Sequence, residues 1–234
     1  MSVYAEKLPP LGFNGISLKG GAHSKREQGV CAMEAVAWLA NEPHSDSPQC
    51  ACPVIAAFVR SWNDALPDTD RDRLLKPILP RLLNTRSTPA VEERRGWLAM
   101  DWLIREFAPE WLALVHDLAP HAAALRELPE IADAAAVAIA NPKIGAAYSA
   151  ADSAAYSAAR SAAYIAAYSA AYSAADSAAY SAAYSAAYSA ADSAAYIAAR
   201  SAAGSAAYSA LAPATERCQQ SALRLLDRML AVTP

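Results

Sequence analysis

The chain has 234 residues, a formal net charge of −3 from 20 basic and 23 acidic side chains, and an apolar fraction of 55%. This balance lacks the basic patch that phosphate neutralisation requires, so nucleic acid is not an expected partner. No long uncharged apolar run and no N-terminal apolar segment are present, so neither a membrane span nor a signal peptide is expected; the cytoplasm is the expected compartment, with four reduced cysteines.

The apolar content is unevenly placed. All five tryptophans (Trp38, Trp62, Trp97, Trp102, Trp111) and all three phenylalanines precede residue 112, so a conventional core is expected only in the first part. Residues 1–28, with Pro9-Pro10 and Gly20-Gly21, read as a loop-rich leader with a short extended piece around Ile16–Leu18. Residues 29–140 read as a Trp-rich helical domain of six or seven short helices. Val30–Asn41 carries apolar residues at helical spacing and stops before Pro43. After a loop at His44–Cys52, Pro53 sits at a favourable first position, and Ile55, Phe58, Val59 and Trp62 share one face. Pro67–Asp70 reads as a turn before a helix at Arg71–Lys76, and Pro77 and Pro80 leave only a short piece at Ile78–Leu83. Thr88 is the expected N-cap of a helix over Pro89–Phe107. Further helices are expected to start at Pro109, Pro120 and Pro129, and Asn141-Pro142 with Gly145 to mark a boundary.

Residues 148–211 then repeat a four-residue unit, x-Ser-Ala-Ala. The x position is Tyr in most units, Asp at 152, 176 and 192, Arg at 160 and 200, and Gly at 204. Alanine makes up half of each unit and has the highest helix propensity, so helix is the expected state, against strand or disorder. Four residues advance a helix by about 400°, so each unit is turned by ~40° from the last. The tyrosines of one straight helix would therefore spiral around it. Either the block divides into shorter helices forming a bundle or hairpin, or it stays extended, with chains wrapping in a right-handed sense. Residues 214–232, after Pro213, read as an amphipathic helix with Leu223, Leu226, Met229 and Leu230 on one stripe. The fold class is all-α.

The densest chemistry lies at Cys31, His44, Asp46, Cys50 and Cys52, with His23 upstream. Thiolates and imidazole suit a tetrahedral zinc site, so Cys31, His44, Cys50 and Cys52 are the candidate metal ligands and zinc the candidate cofactor. The competing structural reading makes Cys31 a small core residue and Cys50 and Cys52 ordinary loop thiols. A catalytic reading uses Cys31, acidified at a helix N-terminus, with His44 or His23 as base. His116 and His121 lie in helical text and are assigned no chemistry.

Residues 29–64 (GVCAMEAVAWLANEPHSDSPQCACPVIAAFVRSWND) resemble uncharacterised bacterial and phage-encoded proteins in which a C-x-M-E-x-V-A segment precedes H-S-D-x-P-x-C, with an Ala-rich tail. The resemblance implies no activity and assigns no residue a role. The expected function is a non-enzymatic interaction or scaffold protein whose repeat mediates self-association or binds a protein partner. The alternatives are a Cys31-dependent enzyme and a repeat array that touches an extended target through its spaced Tyr and Ser.

Overall fold

The computed structural model describes residues 15–157 and 208–234. Among these, every regular element is helical. The helices are α1 (Ala32–Leu39), α2 (Pro53–Ala65), α3 (Asp68–Leu75), α4 (Pro89–Trp102), α5 (Ala108–Leu112), α6 (Ala119–Arg126), α7 (Ala134–Ser157) and α8 (Tyr208–Ala231). Short 3₁₀ turns occupy Arg26–Gln28, Lys76–Leu82 and His116–Leu118. No helix among the described residues is long and apolar enough to cross a bilayer.

Local chemistry sets the boundaries. Helix α1 starts two residues later than the apolar pattern suggests, because Cys31 is extended and caps it while Val30 accepts a hydrogen bond from Lys19. It ends at Leu39, and Asn41, with a φ of 60°, reverses the chain. The Asn41 and Glu42 amides bond back to Trp38 and Ala37, in the Schellman pattern. Helix α3 begins at Asp68 rather than Arg71, placing Asp68 and Asp70 at the positive end of its dipole. Thr88 caps α4 as expected, its hydroxyl accepting from the Val91 amide at 3.4 Å.

Proline has three different outcomes. Pro109 was expected to open a separate helix, yet α4 runs on into α5 through a π turn at Leu103–Phe107. The wider turn lets Ala108 donate to Leu103 just before the ring that would otherwise crowd the preceding turn. Pro129 opens no helix. Buried Asp101 accepts the Ile131 amide at 2.9 Å and holds that stretch as a loop, and α7 starts where Asp133 caps the Ala136 amide at 2.7 Å. Pro142 and Gly145, expected to mark a boundary, lie inside α7. Pro142 faces solvent, so the carbonyl it leaves unpaired can be hydrated, and the helix continues into the first repeat units.

The core is built around an aromatic ladder. Trp62, Phe58, Trp102, Phe107 and Trp111 follow one another at centroid separations of 5.8, 5.6, 5.0 and 6.0 Å. All five side chains are fully buried. Helix α7 packs on α6 through Val137, Ala140, Ile144, Ala147 and Ala151, spaced 3, 4, 3 and 4.

Helix α8 lies on α4 and α5. Its buried row is Cys218, Ala222, Leu225, Leu226 and Met229, whereas Leu223 and Leu230 are only partly buried; the expected stripe is thus rotated. The rotation brings Ser221 under Trp102, whose indole N–H donates to its hydroxyl at 2.9 Å. It also brings the last carbonyls of α8 to buried Arg95, which donates to Met229 at 2.9 Å and Val232 at 3.1 Å. The Pro213 expected to stop the repeat lies inside α8. Of the repeat, residues 148–157 and 208–211 are helical; the expectation for 158–207 falls outside the described residues.

The leader is fastened from Ile16 onward. Leu18 is fully buried, its amide donating to Asp72 at 2.8 Å. Asn63, itself fully buried, donates to the Lys19 carbonyl at 2.8 Å and accepts from the Ala32 amide at 3.1 Å. Buried Arg71 spans the same junction, donating to the carbonyls of Asn63, Leu18 and Leu66 and to Asp68.

Candidate functional site

The candidate residues are organised by a side chain that composition alone does not single out. Cys31 and Glu34 form a capping box at the start of α1. The Glu34 amide donates to Cys31 Sγ at 3.4 Å, and the Glu34 carboxylate accepts the Cys31 amide at 2.7 Å. This is the Ser/Thr-x-x-Glu device with cysteine in the hydroxyl's place, legible in Cys31-Ala-Met-Glu34. Glu34 is 1% exposed, and its carboxylate also takes the His23 amide at 2.6 Å and His23 Nδ1 at 2.9 Å. His44 Nε2 stands 3.7 Å from Glu34 and donates to the His23 carbonyl at 3.0 Å. A carbonyl can only accept, so neutral His44 carries its proton on Nε2, and its buried Nδ1 has no partner among the described residues.

Burial alone would push the Glu34 carboxyl up. The Cys31 and His23 amides, together with the His23 ring, outweigh it and leave the group below the ordinary carboxylate value. Cys31 behaves oppositely. Burial pushes its thiol up to about 12, the Glu34 carboxylate adds to the shift, and the Glu34 and Met33 amides only partly oppose it. The acidification expected at a helix N-terminus is overridden, and Cys31 is 1% exposed.

His23 is seated against Gly29, which has a φ of +146°. A Cβ there would stand 2.5 Å from His23 Nε2. Gly29→Ala is expected to cost about 2 kcal/mol through backbone strain and displacement of the histidine. That should appear as a drop of roughly 4–8 °C in thermal midpoint; an unchanged midpoint would contradict the packing.

The second half of the cysteine loop answers to a different carboxylate. Glu42 accepts the Gln49 amide at 2.6 Å and the Cys50 amide at 2.8 Å. The Cys52 amide donates to Thr85 at 3.0 Å, and Asp46 lies 3.8 Å from Arg60. The expected ligand set of Cys31, His44, Cys50 and Cys52 is not assembled. Cys31 Sγ accepts from the Glu34 amide, His44 donates to the His23 carbonyl, and the backbone of the Cys50–Cys52 segment is held by Glu42 and Thr85. Among the described residues, no three His, Cys, Asp or Glu side chains are arranged to hold a metal ion. Two carboxylates that accept backbone amides, Glu34 and Glu42, hold the two ends of the loop.

Four free thiols remain, of which Cys31, Cys52 and Cys218 are buried. Burial pushes Cys218 up to about 12, as it does Cys31. A thiol reagent at pH 8 is expected to modify the partly exposed Cys50 first, with the other three reacting only as the chain unfolds. Peptide mapping checks this; equal labelling of all four in native protein would refute it.

Three surface clefts are lined by no histidine or cysteine. One, of about 810 Å³, lies between Arg94, Trp97, Leu98, Ile131 and Arg228. Another, of about 690 Å³, is bordered by Pro80, Arg86 and Leu230. The third, of about 440 Å³, separates α8 from Glu106, Glu110 and Arg126. His116 and His121 lie in the 3₁₀ turn before α6 and in α6 itself, apart from the Glu34 cluster. No family model, curated protein or solved structure matches the chain.

Proposed function

We propose that the protein is a non-enzymatic helical scaffold, placed in the cytoplasm, that presents its Tyr/Ser/Ala repeat for self-association. One observation carries this reading. Helix α7, which contains the first repeat units, and α8, which contains the last, both bury their inner rows in the same core, at Ala147 and Ala151 on one side and Cys218 and Ala222 on the other. The helices on either side of residues 158–207 are therefore both held on the head. The catalytic alternative gains no support from the buried, high-pKa thiol of Cys31.

The test is sedimentation velocity on the full chain and on variants lacking residues 160–175 or 160–191, which remove whole units. Self-association should weaken in step with the units removed, while the denaturation midpoint of the head stays put. Association indifferent to unit number would defeat the proposal, as would unfolding of the head on shortening.

A further inference from the structure

We infer that the groove between α8 and the α5–α6 corner is a binding site for a compact dianion of the phosphate or phosphate-monoester class. Arg105, Arg126, Arg217 and Arg224 line this groove of about 440 Å³, against only Glu106 and Glu110. The two glutamates are already shared. Glu110 holds Arg126 at 2.9 Å through one oxygen and Arg217 at 2.7 Å through the other. Glu106 lies 3.8 Å from Arg224 and 3.4 Å from Arg228. Below them, Asp101 takes Arg105 at 2.9 Å and Arg228 at 3.4 Å. Counting this lower pair as well, five arginines meet three carboxylates.

A seam whose sole task was docking α8 would be close to neutral, since excess like charge opposes packing. Here two positive charges are left over, and they border a concavity. Donors are left over too. Arg217 bonds Glu110 through Nε, which leaves both its terminal amino groups outside that bond, and Arg105 Nε has no partner among the described residues. Guanidinium forks on opposite walls suit a tetrahedral oxyanion of charge near −2, each fork donating two parallel bonds. The groove is formed only when α8 is docked, because Arg217 and Arg224 come from α8 while Arg105 and Arg126 come from the head. A bound anion would therefore brace the helix that receives the end of the repeat. The inference is independent of the self-association reading.

The test is a titration of the full chain with inorganic phosphate, and then with a simple phosphate monoester, at constant ionic strength against chloride. It is followed by calorimetry and by the thermal midpoint. One saturable site per chain is expected, with a midpoint that climbs with anion concentration. Arg126→Gln and the double variant Arg217→Gln/Arg224→Gln should each bind about tenfold more weakly or worse. Arg86→Gln, which borders a separate cleft with Pro80 and Leu230, should bind normally. Arg126 lies on α6 and does not belong to α8, so its variant keeps the test valid should the double variant fail to dock the helix. Phosphate acting no differently from chloride, or Arg126→Gln binding as wild type, would overturn the assignment.

Discussion

Trp102→Ala should lower the unfolding free energy by about 4 kcal/mol, the largest effect expected of any single replacement in this chain. Trp102 is 1% exposed and stands at the centre of the aromatic ladder, edge-on to Phe58 at 5.6 Å and against Phe107 at 5.0 Å. Truncation removes the transfer free energy of the indole and leaves a cavity between rigid aromatic neighbours, which have little freedom to close it. It also removes the hydrogen bond to Ser221, one of the polar links between α4 and α8. Trp102→Phe separates these contributions. It keeps most of the apolar volume and loses the bond, so a cost of about 1–2 kcal/mol is expected. Urea denaturation at neutral pH gives both values. A loss below about 1 kcal/mol for the alanine variant would mean that the ladder is not the stabilising centre of the fold.

Glu34→Gln should cost about 2–4 kcal/mol at neutral pH and should change the shape of the acid limb. The carboxylate accepts the Cys31 amide, the His23 amide and His23 Nδ1 in a site that is 1% exposed. A carboxamide offers one accepting oxygen and turns an N–H donor toward donors that are already there. The pH dependence follows from the lowered native pKa of Glu34. In the unfolded chain its value is about 4.3, so the native state binds the proton more weakly than the unfolded state does. The stabilisation is therefore fully present above about pH 5 and is lost as pH falls through the ordinary carboxylate range and below. The gap between wild type and Glu34→Gln should be widest near neutrality and shrink progressively below about pH 4. Denaturant titrations at several pH values measure the gap; a gap constant from pH 7 to pH 3 would show that the charge of Glu34 is not what holds the leader.

The all-helical class and most helix positions were legible from residue order. They rest on short-range physics: apolar spacing, alanine propensity, and the capping chemistry of Thr88 and Pro53. The failures share a cause. Pro109 was expected to open a separate helix, and Pro142 and Pro213 to bound or stop one, because proline costs a backbone bond and crowds the turn before it. Whether that cost is tolerated depends on a neighbouring π turn, or on whether the stranded carbonyl meets water. Pro129 failed in the other direction, because Asp101, 30 positions in sequence from Ile131, fixes that loop.

The candidate site shows the same division. Composition found the cysteines and histidines but grouped them by chain proximity and by ligand preference. Distances separated them into a Glu34 cluster and a Glu42 loop, with Glu34 central because Cys31 serves as a helix cap. The arginine groove was invisible in a chain of net charge −3, since Arg105 and Arg217 meet only once α8 lies across α5. Local sequence thus determined where this chain coils and which segments bury apolar area, because propensity and periodicity act within a few residues. Which face α8 buries, where charge accumulates and which carboxylate holds each loop were decided by the folded structure alone, because those energies depend on burial and on distances between residues far apart in the chain.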